Sequence, residues 1–284
     1  MKLKKIDMHI HSFPTPGSEA LRYGPFPFPS EIRCFYDKVG IEKGVLLPLG
    51  APERLYDPIT SRMAEEVHLE HPDTIGWWFC YLDPRLSQNG RGSDLFTLVD
   101  SFRERGASGV GEMQTNLPID DPRMLTLFKA CEKGKMPVVI HFSSIPTSSG
   151  VGDDDGLPRL EKALTLCPDL LLLGHAPHFW AEFRKPENRV AQLMRRFPNL
   201  YCDLSANSGF FALTDNPEKT AAFFTEFSER CVFGTDYFPS VGPAGTSPFL
   251  DQLYEDSLIS LETYTRICRT NALEILDGTR TGRV

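Results

Sequence analysis

Five residues of metal-binding type stand at the ends of apolar runs that are spread over almost the whole chain of 284 residues. They are His9, His11, His141, His175 and Asp236. Side chains two residues apart in a β-strand point to the same face, so His9 and His11 would present two imidazoles side by side. Imidazole and carboxylate groups that converge from distant parts of a fold suit a metal ion. The pattern therefore indicates a metal site.

A fold that gathers these residues must bring the ends of several strands together. Short, nearly continuous apolar runs recur along the chain, as is typical of parallel strands that are buried on both faces. Eight runs are predicted as strands: Leu3–His9, Gly44–Pro48, Thr74–Tyr81, Gly109–Met113, Pro137–His141, Leu170–Gly174, Leu200–Leu204 and Cys231–Gly234. Eight β–α units of this kind predict an α/β fold, a (β/α)8 TIM barrel.

Helical patterns lie between most of the apolar runs. Asp121 at a cap position, with Pro122 just inside it, is typical of a helix start. The predicted helices are Pro52–Glu70, Asp94–Arg105, Asp121–Lys133, Leu157–Leu166, Pro186–Phe197, Pro217–Glu229 and Leu261–Leu276. Since no linker rich in Pro, Gly or Ser divides the chain, we expect residues 1–284 to form one domain.

Three long loops follow predicted strands. Segment 12–30 is rich in Pro, Gly and Phe and cannot be a regular helix or a central strand. Loop 143–156 holds three aspartates, 153–155, which we expect to form a solvated face, and loop 237–248 follows strand eight. All three would lie over the carboxyl ends of the strands, where barrel enzymes place their active sites.

The strand order adds a sixth candidate, Glu112, which ends the fourth predicted strand. The strands of a closed barrel surround one axis, so the side chains at their carboxyl ends can meet above its mouth. Acidic groups and imidazoles gathered there would repel one another or stay unsatisfied without a cation. The predicted metal ligands are therefore His9, His11, Glu112, His141, His175 and Asp236.

Charge and composition exclude several function classes. The net charge of -8 disfavours nucleic acid and anionic membranes as partners, because both bind basic patches. No apolar run approaches the roughly 20 residues that span a bilayer, and no signal-peptide run follows Met1. The seven cysteines are dispersed without a CxxC motif, which indicates free thiols in a reducing compartment. We expect a cytoplasmic protein that acts on a small molecule.

These residues and their order resemble the metal-dependent amidohydrolase superfamily. The most similar part of it is the amidohydrolase-related (amidohydrolase 2) branch, which holds hydrolases, lactonases and decarboxylases of the aminocarboxymuconate-semialdehyde type. The resemblance extends from Asp7-Met8-His9-Ile10-His11 to the segment 271–276, and it includes Gly174-His175 and Phe233-Gly234-Thr235-Asp236. Members of this branch are often dimers or higher oligomers, so the resemblance also implies a homo-oligomer as an alternative to a monomer.

The resemblance implies two ligand sets. In one, His9, His11, His141 and Asp236 bind a single divalent ion, and His175 holds or deprotonates the water. In the other, which resembles the TatD-like nucleases, Glu112 bridges two ions: His9, His11 and Asp236 complete one site, and His141 and His175 complete the second. A third reading makes Glu112 an outer carboxylate that orients a ligand histidine.

The donor set indicates the chemistry. Imidazole and carboxylate ligands suit zinc first, then manganese or iron. The ion would lower the pKa of a water molecule, Asp236 would take its proton, and a His175 that is not a ligand would polarise the scissile carbonyl. We therefore expect a metal-dependent hydrolase of a C–N, C–O or lactone bond, with a non-oxidative decarboxylase as the alternative.

Two further classes rank lower. A phosphoesterase of the PHP type also begins with His-x-His, but it usually ends with an Asp-x-His pair, and here Tyr237 and Phe238 follow Asp236. A metal-binding protein without turnover is possible in principle, although the complete ligand set does not favour it. Candidate substrate-binding residues are Arg22 and Arg54, whose charge would suit a carboxylate, and His178 in the loop after strand six.

Overall fold

The computed structural model describes residues 3–14, 19–20, 24–52, 59–88, 94–145, 150–239 and 245–280. Within these residues the chain forms a (β/α)8 barrel, as the sequence predicts. The barrel strands are β1 Lys5–Ile10, β2 Ile41–Leu46, β3 Ile75–Trp78, β4 Val110–Met113, β5 Val138–Ser144, β6 Leu172–His175, β7 Leu200–Asp203 and β8 Cys231–Val232. Neighbouring strands pair in parallel in this order, apart from two junctions.

Backbone contacts connect the strands at both junctions. Between β3 and β4, Cys80 and Val110 form a parallel bridge, and the Cys80 amide donates to the Gly109 carbonyl oxygen at 2.9 Å. Between β8 and β1, the Met8 amide donates to the Phe233 carbonyl oxygen at 2.9 Å. The first and last strands are therefore neighbours, which brings residues more than 200 positions apart to the same end of the fold.

The helices follow the strands, and most begin at residues that cap helices. Thr60, Asp94, Asp121 and Asn216 each accept a hydrogen bond from a backbone N–H of the first turn. The helices are α1 Pro29–Val39, α2 Ser61–Glu70, α3 Leu95–Glu104, α4 Pro122–Gly134, α5 Pro158–Leu166, α6 Pro177–Arg184, α7 Arg189–Arg196, α8 Ala206–Thr214, α9 Pro217–Glu226, α10 Thr246–Glu255, α11 Leu261–Thr265 and α12 Asn271–Leu276, with a π-helical turn at Arg266–Thr270 between the last two.

Several local predictions were wrong. Helices α1, α6, α8 and α10 were not predicted, and the helix predicted at Pro52–Glu70 begins only at Ser61. Segment 12–30 contains two short antiparallel strands, Glu19–Ala20 and Gly24–Pro25, and loop 143–156 contains the strand Val151–Asp153. The last of these strands pairs with β5, so strand pairing overrides the loop-like composition.

Two apolar layers hold the barrel together. Its interior is filled by side chains from strands, among them Met8, Val45, Val139, Tyr201 and Val232, which pack together and are 0–1% exposed. A larger cluster fills the space between the strands and the surrounding helices. Among the described helices, none is long and apolar enough to cross a membrane.

A close contact between β6 and α6 yields a stability prediction. A Cβ atom added at Gly174 would lie 2.4 Å from the Phe179 ring, which is fully buried and stacks on Phe142. We expect Gly174→Ala to reduce the free energy of unfolding by about 1–3 kcal/mol through overpacking, measured by urea denaturation of the metal-free protein.

The matched control is Phe179→Leu, alone and combined with Gly174→Ala. If the steric contact is the cause, Gly174→Ala costs less in the Phe179→Leu background than beside the native phenylalanine. An equal cost in both backgrounds would contradict the explanation.

Candidate metal centre and active site

Five of the six predicted ligands lie at or beyond the carboxyl ends of their strands, and His141 lies within β5, paired with His175 at the end of β6. His9 is in β1 and His11 directly follows it, Glu112, His141 and His175 belong to β4, β5 and β6, and Asp236 comes shortly after β8. The structure brings them together in three overlapping groups whose ligand atoms lie within 4.8 Å of one another. The groups are His9–His11–Glu112, His9–His175–Asp236 and Glu112–His141–His175.

One part of the site is formed around the two histidines of the His-x-His pair. Their Nε2 atoms lie 3.2 Å apart. Glu112 Oε2 is 3.4 Å from His11 Nε2 and 3.7 Å from His9 Nε2. Asp236 Oδ1 approaches the same two nitrogens, at 3.4 Å from that of His11 and 3.9 Å from that of His9. Two imidazole nitrogens and two carboxylate oxygens thus surround one small space.

The second part lies on the other side of Glu112. Its Oε1 atom is 2.5 Å from His141 Nδ1 and 3.4 Å from His175 Nε2. The two oxygens of this carboxylate therefore face different pairs of histidines. Gln114 holds the carboxylate in place, since its Nε2 donates to Glu112 Oε2 at 2.6 Å.

Residues behind the ligands orient the imidazoles. Asp203 Oδ2 accepts from His9 Nδ1 at 2.6 Å, and the Leu47 carbonyl oxygen accepts from His11 Nδ1 at 2.8 Å. Both rings therefore turn their Nε2 atoms toward the shared space. Asp203 and Gln114 were not among the residues predicted from the sequence. A signal was present for Asp203, because it ends the seventh strand, and Gln114 follows Glu112 by two residues.

Asp7 anchors the start of the site and connects β1 to the segment after β8. Its carboxylate accepts hydrogen bonds from the Thr235 backbone N–H at 2.8 Å and from the Thr235 hydroxyl at 2.5 Å. It also accepts from the Tyr36 hydroxyl and the His9 backbone N–H. Burial raises the pKa of Asp7 to about 6, although these hydrogen bonds lower it.

The electrostatics of the site call for a cation. Burial alone would raise the pKa of Glu112, but the charge of His141 and the histidines that surround the carboxylate hold it well below its usual range. The pKa of His9 is raised well above its ordinary value; burial lowers it, and the neighbouring Asp203 more than compensates. Within the described residues, no lysine or arginine ion-pairs with Glu112, Asp203 or Asp236.

The donor set therefore fits a divalent metal ion. Buried carboxylates without lysine or arginine partners are stabilised by a positive charge placed between them. His175 Nε2 and Asp236 Oδ1 are buried and have no hydrogen-bond partner within the described part of the chain, and both belong to the ligand groups. Imidazole nitrogen and carboxylate oxygen are donors that zinc and manganese accept.

Aromatic side chains adjoin the site on the side of His11. The rings of Phe26 and Phe238 lie 6.1 and 5.9 Å from the His11 ring, between centroids. Phe26 also packs against Phe13 at 4.9 Å and against Phe238 at 5.2 Å. These rings give one side of the site an apolar wall.

Of the three predicted substrate-binding residues, only His178 lies within the described part of the chain. Arg22 and Arg54 lie outside the described residues. His178 lies in the first turn of α6 and not in a loop, because Pro177 begins the helix there. Its Nδ1 lies 3.0 Å from the Ser144 hydroxyl, and its Nε2 lies 3.3 Å from the Asp154 carbonyl oxygen. Its role in substrate binding stays a prediction.

The aspartate loop near His178 also differs from the prediction. Asp153 is fully buried and accepts backbone hydrogen bonds from the first turn of α5, so 153–155 is not a solvated face throughout. Asp155, His178 and Glu182 form a further group of metal-ligand type. A cation already lies there, because the Lys185 ammonium contacts Glu182 Oε1 at 2.5 Å.

Solved structures with the same fold come from several bacteria. An amidohydrolase from Burkholderia multivorans with bound zinc is 14% identical, with a TM-score of 0.66, and the match covers 97% of this chain and 99% of that one. A dihydroxybenzoic acid decarboxylase from Polaromonas sp. JS666 with bound manganese and the inhibitor 2-nitroresorcinol is 16% identical, with a TM-score of 0.62 and 98% of each chain covered.

A third similar structure is a probable 2-pyrone-4,6-dicarboxylic acid hydrolase from Acinetobacter baumannii with bound citric acid. It is 14% identical, with a TM-score of 0.60, and the match covers 93% of this chain and 99% of that one. At these identities the likeness shows the fold. No curated protein sequence matches the chain.

A comparison with protein families is more specific. The family described as amidohydrolase (Amidohydro_2) matches residues 98–278, which is more than half of the chain. This segment includes Glu112, His141, His175 and Asp236, while the His-x-His pair lies before it. The chain therefore belongs to the amidohydrolase family and is a metal-dependent enzyme of that superfamily, as its residue pattern implied.

Proposed function

We propose that this enzyme is a hydrolase that directs a water molecule at a C–N, C–O or lactone-type carbonyl of a small molecule. The observation that carries the proposal is the position of Asp236. Its Oδ1 has no hydrogen-bond partner among the described residues, and it lies beside the nitrogens of the His-x-His pair. A carboxylate in that place is available to accept a proton from a water at the site.

A backbone hydrogen bond positions Asp236 to accept a proton at the site. Its N–H donates to the His9 carbonyl oxygen at 2.8 Å, so the carboxylate stays next to the ligand histidines. Its side chain is 17% exposed, whereas those of Glu112 and Asp203 are 1–2% exposed. Asp236 is therefore the acidic group of the site that a substrate can reach, and it can pass the proton on to the leaving group.

The six predicted ligands, Asp236 included, would hold two ions, with zinc as the first expectation and manganese or iron as alternatives. His9, His11 and Asp236 would complete one site, His141 and His175 the other, and Glu112 would contribute one oxygen to each. A bound divalent ion would lower the pKa of a water molecule toward about 7 and polarise a substrate oxygen. The separate directions of the two Glu112 oxygens support this bridging role over an outer position.

The apolar wall next to His11 supports a substrate with a planar or apolar part. Phe238, which is partly buried and packs on the fully buried Phe26, would contact such a group while the polar atoms turn toward the histidines. The similar structures include both a hydrolase and a decarboxylase by name. A decarboxylase of a small carboxylic acid is therefore the second candidate, since the same donors could bind a carboxylate substrate.

Metal removal tests the cation site itself. Stripping divalent ions with a chelator should lower the melting temperature, because buried carboxylates lose their counter-charge. At an ion concentration 100-fold above the dissociation constant, the stabilisation lost is about 2.7 kcal/mol per site. Differential scanning calorimetry with zinc and manganese, and with magnesium for comparison, measures it. If the melting temperature were the same with and without each of the three ions, the metal site would be refuted.

The number of ions tests the role of Glu112. We expect two ions per chain in the wild type and at most one in Glu112→Gln, because an amide presents only one oxygen. Elemental analysis of the purified proteins gives the stoichiometry. Glu65→Gln is a matched control far from the strand ends, on α2. One ion per chain in the wild type would contradict the bridge.

Asp236→Asn tests the proton acceptor. We expect kcat to fall by about 10²–10⁴-fold while the chain still folds, since the amide cannot accept the proton. The assay is a panel of lactones, amides and aromatic carboxylic acids, with wild type and variant compared on whichever substrate turns over. Release of CO₂ from an acid, without a hydrolysis product from any substrate, would replace the hydrolase by the decarboxylase.

A further inference from the structure

Two residues that no comparison assigns lie directly behind the ligand histidines. Asp203 closes β7, Ser205 follows two residues later, and both are 0% exposed. Asp203 Oδ2 contacts His9 Nδ1 at 2.6 Å and lies 4.0 Å from His175 Nδ1. The Ser205 hydroxyl oxygen is 3.0 Å from His175 Nδ1. The Asp203 carboxylate thus contacts His9 in one half of the site, and the Ser205 hydroxyl contacts His175 in the other.

The direction of each hydrogen bond follows from what the groups can donate. Asp203 Oδ2 lies 2.6 Å from His9 Nδ1, and Asp203 Oδ1 accepts from the Ser205 backbone N–H at 3.0 Å. Both oxygens of this carboxylate therefore face donors, and the imidazole nitrogen is the donor in its contact with Oδ2. His9 consequently carries a proton on Nδ1.

The Ser205 hydroxyl has one proton to donate and lone pairs with which to accept. Its oxygen lies 3.0 Å from His175 Nδ1, and Asp203 Oδ2 lies 4.0 Å from the same nitrogen, so a proton on His175 Nδ1 faces two oxygen acceptors. A neutral imidazole that is protonated on one nitrogen keeps a lone pair on the other. His175 Nε2 is buried, has no hydrogen-bond partner among the described residues and lies 3.4 Å from Glu112 Oε1.

We propose that Asp203 and Ser205 act together as positioning residues that turn the lone pairs of His9 Nε2 and His175 Nε2 into the metal site. The inference rests on the proposed function, which makes both histidines ligands. This inference also decides whether His175 is a metal ligand or a residue that polarises the substrate carbonyl. A nitrogen that presents a lone pair binds a cation and does not donate a proton to a carbonyl. His175 is then a ligand, and Asp236 alone among the predicted catalytic pair moves protons.

Asp203 and Ser205 pack tightly against Gly234. A Cβ atom added at Gly234 would lie 2.8 Å from Asp203 Oδ1, 2.9 Å from Ser205 Cβ and 3.1 Å from His9 Cβ. The Ser205 backbone N–H donates to Asp203 Oδ1 at 3.0 Å and fixes the carboxylate from the other side. Only a glycine at this point lets the strands bring the carboxylate, the hydroxyl and the imidazole into contact.

The first test reads the proton position on His175 without metal or substrate. Imidazole ¹⁵N spectra of the metal-free wild type, with the His175 signals assigned by their loss in His175→Asn, should show Nδ1 protonated and Nε2 bare. In Ser205→Ala the proton should shift toward Nε2. A wild-type His175 protonated on Nε2 would overturn the proposal, whether or not any variant folds.

The second test measures metal affinity by competition with a chromophoric chelator. Asp203→Asn should weaken binding by about 10–100-fold, and Ser205→Ala should weaken one of the two ions by about tenfold. In the Asp203→Asn background, Ser205→Ala should cost less than it does alone, because the carboxylate that lies near both Nδ1 atoms is already lost. Ser260→Ala, which removes a hydrogen-bonding hydroxyl at the start of α11, is the matched control and should leave affinity unchanged.

The outcomes distinguish this inference from the proposed function. Unchanged affinity and an unchanged His175 proton in Ser205→Ala would overturn the positioning role while the metal site stands. A His175 that carries its proton on Nδ1 in a protein that binds no divalent ion would support the hydrogen-bond arrangement and overturn the metal site.

Discussion

Buried negative charge at the mouth of the barrel is the constraint on which the rest of this site depends. Glu112 and Asp203 are almost fully buried, and Asp236 is mostly so. Removing a carboxylate from water costs several kcal/mol unless hydrogen bonds and an opposite charge compensate. Within the described residues, histidines are the only ion-pair partners of these three carboxylates. The histidines must therefore reach the carboxylates from different strands, which only a closed barrel allows.

Closure in turn depends on contacts between the first and last strands. Asp7 accepts two hydrogen bonds from Thr235, and the Asp236 backbone N–H reaches the His9 carbonyl oxygen. These contacts align the His-x-His pair with Asp236 although the sequence separates them by more than 200 residues. Tyr36 supports Asp7 from α1, and it fits because Gly44 has no side chain: a Cβ there would lie 2.1 Å from the Tyr36 hydroxyl.

The sequence was sufficient to predict the barrel and the six converging residues, because strand order and the two-residue period are both readable from apolar runs. The number of ions depends on distances of a few tenths of an ångström, which no spacing encodes. Asp203 was missed because an aspartate after an apolar run looks like an ordinary strand end. Only the folded barrel brings its carboxylate to His9, past Gly234, which has no side chain to block the contact. Tertiary packing explains two other misses: Pro177 begins a helix that is buried against the barrel, and strand pairing with β5 buries Asp153.

The same ligand set can serve a hydrolase and a decarboxylase, so the distinction between them must come from what surrounds it. A hydrolase needs a water and a base beside the carbonyl, whereas a decarboxylase gains from a site that excludes water while its substrate loses CO₂. Asp236 is partly exposed and borders the histidine pair, and Phe26 and Phe238 lie beside the His11 ring. The proposed function assigns proton transfer to this partly exposed carboxylate, and its exposure is the physical reason to place hydrolysis ahead of decarboxylation.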